Sequence, residues 1–240
     1  MINLAFPHTP AAAGLGPGRA SPSTTQAFEG LIRDEYKSLA RTIFALRRGP
    51  VRHSRDQTIV VEGDASDYIF LVISGVVRSF RSFQNGTRST VSFYLPTEFF
   101  GLTNHPTNLL TAEAVTDANI LFFKRSALFS MAKRESRIAN FLLTTTLAEI
   151  RRTQEHTLLI SRAAKSRVAS FLIDLSKRIR TQNLLDLPMS HQDIADHLGL
   201  TIETISRMIT QMERSGLITR GRSYCDLILN NRQALARMAD

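Results

Sequence analysis

The spacing of apolar residues along the chain changes character twice. Residues 26–47 carry apolar side chains at helical spacing on one face. From Val51 to Phe123 the apolar residues fall into short runs rich in β-branched and aromatic types. From about Ser126 onward the helical spacing returns. The pattern predicts an α+β protein in which an antiparallel β-domain is followed by a helical C-terminal part.

The β-rich region contains four clear runs, TIVVEG, YIFLVISGVVRSFRSF, RSTVSFYL and ANILFF. Turn residues separate them, and Asn85-Gly86 stands between two alternating runs, which is the strongest short-range sign of a hairpin. Several short strands at this spacing are typical of an antiparallel barrel or roll.

Residues 136–160 predict one long helix, because the segment has helical spacing and contains neither glycine nor proline. The residues near a heptad seam are Leu143, Leu147, Ile150, Thr157 and Ile160. Threonines along the seam weaken it. The pattern alone fits two interpretations, a helix packed on its own domain or a dimerisation helix paired with its copy.

A second amphipathic helix is predicted over residues 162–181, with an apolar side formed by Val168, Phe171, Leu172 and Leu175. Residues 184–188 then predict an extended stretch, because Pro188 disfavours a helical conformation at the residue before it.

The segment SHQDIADHLGLTIETISRMITQMERSGLITRGRSYCDLIL has the spacing of a helix-turn-helix. Ser190 and Thr201 are good N-caps, and Gly199 between them can adopt the left-handed conformation of a sharp turn. Ala195, four residues before Gly199, is small enough for two helices to cross closely. The shared core is predicted to contain Ile194, Leu198, Leu200, Ile205 and Met208. The alternative is a helical hairpin with no role in DNA binding.

A winged form of this motif is predicted, because two short strands, 217–219 and 227–229, flank a basic tip of Arg220-Gly221-Arg222. Such a tip lies near the phosphate backbone of DNA in winged helix-turn-helix proteins. The alternative for the tip is a solvated hairpin turn.

The second helix presents two different faces. Its packing face is predicted to contain Ile202, Ile205, Met208, Ile209 and Met212. Glu203, Ser206 and Arg207 share the other face near the N-terminal end, which enters the major groove. Arg207 can bridge guanine O6 and N7, and Glu203 can accept from cytosine N4. Glu203 can also orient Arg207, whereas the alternative for both residues is an ordinary surface ion pair.

Ser206 is short enough to let the helix lie close to a base edge. Phosphate contacts are predicted at the helix starts and in the wing, from Ser190, Gln192, Thr201, Thr204, Arg220 and Arg222.

Composition favours a polyanionic partner, either nucleic acid or an anionic membrane, because the formal net charge is +9 and the isoelectric point is about 10.4. The alternative is a soluble protein that merely avoids a net charge of zero. The single cysteine, Cys225, excludes a disulfide within the chain and any metal site of several thiolates. Residues 1–25 predict a disordered tail. With no signal peptide and no spanning run, a cytoplasmic protein without a membrane partner is expected. The sequence contains no recognisable pairing of a nucleophile with a base and no cluster of metal ligands, so an enzyme is not expected.

The sequence resembles the CRP/FNR family of bacterial transcription regulators, and most of all its FNR/FixK branch. The resemblance covers roughly residues 30–240 and is carried by DIADHLGLTIETISR, GLITRGRSYCDLILNNRQALARMA and LLISRAAKSRVASFLIDLSKRI. It implies an N-terminal antiparallel β-roll of cyclic-nucleotide-binding type, a long dimerisation helix and a C-terminal winged helix-turn-helix. The expected parts are a tail (1–25), a sensor-like roll (26–135), a dimerisation helix (136–161) and a DNA-binding domain (162–240). The resemblance therefore favours dimerisation for residues 136–160.

The family reads DNA through a Glu-x-x-Ser-Arg pattern, matched here by Glu203, Ser206 and Arg207. An aliphatic Ile202 precedes the glutamate, as in the FNR/FixK branch, whereas CRP-type members have arginine there. The resemblance thus implies a TTGA-type palindrome read by a homodimer, with double-stranded DNA and RNA polymerase as partners. It further implies an activator of microaerobic or anaerobic genes.

Relatives that bind cyclic nucleotides carry Gly-Glu-Leu and Arg-Ser motifs, but here Gly101 precedes Leu102-Thr103, and Thr111-Ala112 stand in place of Arg-Ser. The phosphate-binding arginine is missing, so no cyclic nucleotide is expected. The N-terminal region contains no cysteine for an iron–sulfur cluster like that of FNR. The expectation is a FixK-like regulator with no cofactor, controlled through its own synthesis. Haem is the alternative, with His53 and His105 as candidate ligands.

Cys225 follows the wing tip closely. It is expected to be a half-buried strand residue, although nearby Arg220 and Arg222 would favour its thiolate. Redox control of DNA binding is therefore a further hypothesis.

Overall fold

The computed structural model describes residues 47–179, 184–221 and 226–239. The predicted tail (1–25) and the predicted helix over 26–47 lie outside these ranges, apart from Arg47. The N-terminal strands are β1 (Arg47–His53), β2 (Thr58–Val60), β3 (Tyr68–Ser74), β4 (Val77–Ser82), β5 (Arg88–Tyr94), β6 (Phe99–Phe100), β7 (Thr111–Ala114) and β8 (Ala118–Lys124). The remaining elements are α1 (Arg125–Ala132), α2 (Ser136–Leu159), α3 (Ala164–Arg178), β9 (Leu184–Asp186), α4 (His191–Leu198), α5 (Ile202–Arg214), β10 (Ile218–Arg220), β11 (Asp226–Leu229) and α6 (Arg232–Ala239).

The N-terminal strands form two antiparallel four-stranded sheets, in the orders β1-β8-β3-β6 and β2-β7-β4-β5. Their facing sides bury an apolar layer that includes Phe70, Val72, Tyr94 and Ile120. Along β7 and over residues 89–92 of β5, buried positions alternate with half-buried ones, which is the period of two that a strand requires. The predicted antiparallel roll is confirmed.

The Asn85-Gly86 signal marks a real hairpin. Strands β4 and β5 pair in antiparallel register around it, and Gly86 has a φ of +80°, which glycine adopts without strain. The loop is closed by the Phe83 amide donating to Thr87 O at 2.9 Å.

Strand β1 begins before the position that the sequence pattern indicated. Gly49-Pro50 looks like a helix or strand breaker, but the two residues lie at a register shift between Arg48 and Val51 in an edge strand. An edge strand tolerates proline at a bulge, because no ladder hydrogen bond is lost there. Strands β6 and β7 were also not predicted, since two and four residues are too short to show a clear alternation.

The helical region follows the predicted plan. Helix α2 spans 136–159, close to the predicted 136–160, and α3 spans 164–178 within the predicted 162–181. The predicted buried side of α3 is buried, with Val168, Phe171, Leu172 and Leu175 at most 6% exposed. Strand β9 occupies most of the predicted extended stretch and pairs with β11, which also pairs with β10.

One apolar core connects the roll to the C-terminal domain. Val76, Phe93, Leu95 and Val115 of the roll belong to the same buried cluster as the side chains of α3, α4 and α5. The C-terminal domain is therefore packed against the roll rather than joined to it by a linker alone. None of the helices in residues 47–179, 184–221 and 226–239 is long and apolar enough to cross a membrane.

Candidate DNA-reading surface

The first helix of the motif, α4, begins with a complete capping box. The Asp193 amide donates to Ser190 Oγ at 3.1 Å, and the Ser190 amide donates to Asp193 Oδ2 at 3.0 Å. The Ser190 hydroxyl also donates to Asp193 Oδ2 at 2.7 Å. These bonds satisfy amides that a helix start otherwise leaves without partners. A phosphate contact from Ser190 stays a prediction, and its hydroxyl proton is already engaged within the cap.

The turn between α4 and α5 has the predicted geometry. Gly199 is left-handed, with φ of +61°, and ends α4. Ala195 is fully buried, and the Arg167 guanidinium on α3 donates to Leu198 O at 2.9 Å and to Gly199 O at 3.3 Å. The turn is therefore fixed both by its own conformation and by a side chain from the preceding helix.

Helix α5 is capped by Thr201, whose hydroxyl oxygen accepts from the Thr204 amide at 3.3 Å. The buried residues of α5 are Ile205, Met208, Ile209 and Met212, as predicted. Ile202 is different: it was predicted to pack but is 39% exposed. Ile202 therefore lies on the outer surface of α5, beside the exposed Glu203.

Glu203, Ser206 and Arg207, here called the reading edge, lie on one side of the N-terminal half of α5. Glu203 and Arg207 are exposed and Ser206 is half-buried. The pKa of the Glu203 carboxyl is lowered by a hydrogen bond from the Glu203 backbone amide and, to a smaller extent, by one from the Thr201 hydroxyl. The carboxylate is therefore charged at neutral pH. The Ser206 hydroxyl lies 3.4 Å from His191 Nδ1.

The alternative interpretation of the reading edge, a surface ion pair, is not what the structure shows. Within the described ranges, no ion pair joins Glu203 to Arg207. The predicted hydrogen bond by which Glu203 would orient the Arg207 guanidinium is therefore not formed in the DNA-free chain. Arg207 therefore extends from α5 as an exposed cation, while Glu203 is held by the cap. Base reading by the three residues stays a prediction.

The predicted phosphate-contacting residues are arranged less uniformly. Gln192 is exposed and donates to Asp196 Oδ1 at 2.7 Å, and Thr204 is half-buried at the start of α5. Arg220 leans back on α5, with its Nε 3.5 Å from Glu213 Oε2. Arg222 and Cys225 lie outside the described residues, so their predicted roles rest on sequence alone.

Helix α2 carries an exposed apolar stripe. Leu143, Leu147, Ile150 and Ile160 are 57%, 53%, 48% and 43% exposed, and Thr157 is exposed with them. Leu158 was not predicted on this stripe, yet it is 65% exposed. The sequence pattern did not indicate Leu158, because it lies beside the a and d positions of the heptad. The width of the exposed stripe depends on which side of α2 the roll covers, and this is not visible in the sequence.

The interior of the roll is filled by its own aromatic side chains. Tyr94 stacks on Phe100 with ring centroids 5.1 Å apart, Phe100 stacks on Phe70 at 4.8 Å, and Phe70 meets Phe122 edge-on at 5.2 Å. We call these four residues the aromatic ladder. A Cβ on Gly101 would meet the Phe70 ring at 2.9 Å, so the ladder reaches the residues that the sequence comparison placed at an effector site.

The two candidate haem ligands are far less alike than the sequence suggested. His53 is buried, its Nδ1 lies 3.3 Å from Val51 O, and burial lowers its pKa. His105 is exposed, with its Nδ1 3.0 Å from Thr107 Oγ1. In the described part of the chain, no three His, Cys, Asp or Glu side chains come together as a metal site.

Sequence reasoning missed a set of charged residues that join the C-terminal domain to the roll. Arg78 on β4 contacts Asp193 on α4, and Arg178 on α3 contacts Glu98 in the β5–β6 turn. The residues of each pair lie 115 and 80 positions apart in the chain. No local pattern connects residues so far apart, so the only available signal was the presence of charges within otherwise apolar stretches.

Known proteins resemble this chain in both parts. Two family models match it, a cyclic nucleotide-binding domain over residues 50–135 and a Crp-like helix-turn-helix domain over residues 166–238. The chain is 38% identical over 215 residues to the nitrogen fixation regulation protein FixK of Azorhizobium caulinodans, which covers 87% of this chain and 86% of that protein. It is 31% identical over 171 residues to the transcriptional activator protein FnrL of Cereibacter sphaeroides, with 68% and 69% covered. The solved structure of FixK2 from Bradyrhizobium japonicum matches with a TM-score of 0.76 and 34% identity, over 79% of this chain and 96% of that one.

Proposed function

Because the chain belongs to the CRP/FNR family of transcription regulators, we propose that it reads a TTGA-type palindrome as a homodimer, without a small-molecule effector. Family membership makes it a DNA-binding regulator and not an enzyme. The observation that carries the finer proposal is the amphipathic character of α5, whose inner face is buried while the reading edge faces outward.

Arg207 is the residue proposed to read a guanine. Its side chain is exposed, and among the described residues it makes no ion pair, so the guanidinium is accessible to a base edge. Glu203 is held by the Thr201 cap and offers an acceptor for a cytosine amino group. The exposed Ile202 offers apolar contact to a thymine methyl group, which fits a half-site containing TTGA.

The homodimer is proposed from the stripe on α2. Leu143, Leu147 and Ile150 are spaced by four and three residues, and each exposes about half of its side chain. A stripe of this spacing on a long helix matches a coiled-coil seam, and a second copy of α2 would cover it. Two-fold symmetry would place two reading edges on successive turns of DNA.

Effector independence, with no bound cofactor, is proposed from the aromatic ladder. Its rings stack at 4.8 and 5.1 Å, which is direct contact, and they fill the space beside Gly101 and Ala112. The Thr111 hydroxyl accepts from the Glu62 amide at 3.2 Å, so it serves the fold rather than a phosphate. Haem is less favoured, because His53 is packed against Phe122 while His105 is at the surface.

We further propose that the protein acts in the cytoplasm as an activator of microaerobic or anaerobic genes, through contact with RNA polymerase. Support comes from the relatives, among which FnrL is named a transcriptional activator and FixK a nitrogen fixation regulator. The physiological signal would then act on synthesis of the protein.

Binding-site selection with purified, ligand-free protein tests the main proposal. A selected palindrome containing TTGA half-sites, bound by a dimer without added effector, is the expected result. An absorption spectrum free of a Soret band should accompany it. Selection that succeeds only after a cyclic nucleotide or haem is added would overturn effector independence, and a single unpaired half-site would overturn the dimer.

A further inference from the structure

The C-terminal domain is attached to the roll through a buried guanidinium. Arg78 Nη1 donates to Asp193 Oδ1 at 2.5 Å, and Nη2 donates to Glu113 Oε2 at 2.8 Å. The three side chains are only 11% to 12% exposed. We call Arg78, Glu113 and Asp193 the clamp. Asp56 Oδ1 adds a more exposed contact at 3.2 Å.

The clamp combines charges that would be unfavourable if buried singly. Burial by itself would lower the pKa of Arg78, but hydrogen bonding to Glu113 and the charge of Asp193 outweigh it and raise the pKa. Arg78 is therefore charged at all ordinary pH values. Removing Arg78 would leave the carboxylates of Glu113 and Asp193 in a desolvated site without the charge that compensates them, which is the costly case for buried charges. Such groups define an orientation more strictly than apolar contacts do, because their geometry is directional.

The clamp acts on the start of α4. Asp193 uses Oδ1 for Arg78 and Oδ2 for the amide and hydroxyl of Ser190. One carboxylate thus caps α4 with one oxygen and contacts the roll with the other. Helix α5 follows α4 as a unit, because Ala195 and Ile205 are fully buried in their common core.

Two further contacts prevent the domain from turning about the clamp. One turn along α4, His197 Nδ1 donates to Thr90 O of β5 at 3.0 Å. On α3, Arg178 donates to Phe93 O at 2.6 Å and grips both oxygens of Glu98. Contacts to two different helices fix a rotation that one contact would leave free.

We propose that Arg78 is a positioning residue for DNA recognition, holding α4 so that α5 is kept in the orientation that reads both half-sites. In this chain the clamp does with its own side chains what a bound effector would otherwise have to do. The inference rests on the proposed effector-free function and identifies one residue that contributes to it. Arg78 itself contacts no DNA.

Arg78→Gln tests the proposal in the full-length protein, and Arg81→Gln is the matched control. Arg81 lies on the same strand but pairs with Glu62 at a more exposed site, with its side chain 57% exposed. Affinity falls in proportion to the fraction of competent domains, so a fall of that fraction to about one third in both protomers lowers dimer affinity by about ninefold. Arg81→Gln should leave affinity unchanged, and Arg78→Lys should restore part of the loss.

Spacing preference separates positioning from simple instability. Wild type should discriminate strongly between the selected palindrome and one with roughly two base pairs inserted at its centre, since a rigid dimer fits one spacing. Arg78→Gln should lower the ratio of the affinities for the two palindromes, while the preference among half-site sequences stays the same. If it does not fold, Arg78→Gln with Asp193→Asn removes both charges of that pair, keeps a side chain able to cap α4, and leaves Glu113 with Arg88 Nη1 at 3.5 Å.

A distance measurement tests the clamp without DNA or dimerisation. Spin labels at Lys124→Cys in the roll and Gln211→Cys on α5, both exposed positions, are placed in a Cys225→Ser background. Excess unlabelled protein ensures that distances within one chain are measured. We expect one narrow distance distribution for this background and for Arg81→Gln, and a broader one for Arg78→Gln.

The outcomes distinguish the two proposals. A narrow distribution and an unchanged spacing ratio in folded Arg78→Gln would refute the clamp while leaving the proposed function intact. Equal effects of Arg78→Gln and Arg81→Gln would refute it as well. Failure of wild type to bind any palindrome would refute the proposed function, whereas the label distances would still decide the clamp.

Discussion

Replacing Glu98, in the turn between β5 and β6, by glutamine should markedly lower the free energy of unfolding of the chain. The Glu98 carboxylate accepts from Arg178 Nε at 3.0 Å and Nη2 at 2.7 Å, from Arg152 Nη2 at 3.3 Å and from the Leu95 amide at 2.9 Å. Arg178 is 17% exposed, and its pKa is raised because the charge of Glu98 outweighs the effect of burial. Loss of the Glu98 charge therefore leaves Arg178 largely buried and poorly compensated.

The expected cost follows from this geometry. Breaking a buried ion pair costs about 3–5 kcal/mol, and the lower end applies because Glu98 is 18% exposed and Arg178 retains Asp174 at 3.2 Å. A loss of about 3 kcal/mol in the free energy of unfolding would lower the melting temperature by roughly 6–12 °C in a chain of this size. Urea denaturation followed by circular dichroism measures the free energy, and calorimetry measures the temperature.

Asp174→Asn is the matched control, because Asp174 pairs with the same guanidinium. Its side chain is 54% exposed and lies one helical turn away, so its loss should cost only about 0.3–0.5 kcal/mol. Glu98→Gln combined with Arg178→Gln should cost less than the sum of the two single changes, since neither charge is then left alone. Equal costs for Glu98→Gln and Asp174→Asn would refute the reasoning.

Four further outcomes are expected. Thr97 is β-branched and has a φ of +76°, so Thr97→Gly should raise the free energy of unfolding by about 1 kcal/mol, measured by urea denaturation. Burial, followed by the charge of His156, lowers the pKa of His197 from 6.5 to about 3, so the folded protein keeps this ring neutral down to about pH 3 while the unfolded chain takes up a proton below pH 6.5. Stability is therefore complete above pH 6.5 and falls as the pH drops from 6.5 toward 3. Between pH 6.5 and 5, wild type should therefore lose up to about 1.4 kcal/mol per pH unit more than His197→Gln. Arg207→Ala should cost about 1–3 kcal/mol on the selected site and relax preference at one guanine, measured by fluorescence anisotropy. Leu147→Glu should weaken the dimer about a hundredfold or more, because the proposed interface would bury one leucine from each protomer and both are lost. Analytical ultracentrifugation measures the dimer dissociation constant.

Each expectation has a contrary result. Thr97→Ala keeps the Cβ and should gain nothing, so an equal gain from alanine would exclude strain as the cause. Parallel pH profiles for wild type and His197→Gln would show that His197 titrates normally. Equal losses on specific and random DNA would remove Arg207 from base reading, and Arg214→Ala, at the other end of α5, provides the comparison. An unchanged monomer–dimer equilibrium in Leu147→Glu would place the interface elsewhere.

Local structure could be predicted where neighbouring residues determine it. Ser190, Thr201 and Gly199 fix the ends of two helices through bonds within a few positions, and all three have the predicted roles as caps and turn. The hairpin at Asn85-Gly86 and the long α2 helix are similar cases. The one packing assignment on α5 that was wrong, Ile202, concerned a residue at the helix start, where helical spacing does not define which side is covered.

The sequence by itself determined the order of elements, the helix-turn-helix and the positions of the reading edge, because caps, glycine turns and apolar periodicity act over short distances in the chain. Only the tertiary structure decided that Arg78 grips Asp193 and that the aromatic ladder of Tyr94, Phe100, Phe70 and Phe122 fills the roll. A charge within a strand has no preferred partner until the domains dock, and an aromatic residue has no preferred neighbour until two sheets face each other. The physical reason is that burial and pairing depend on which distant segments the fold brings into contact.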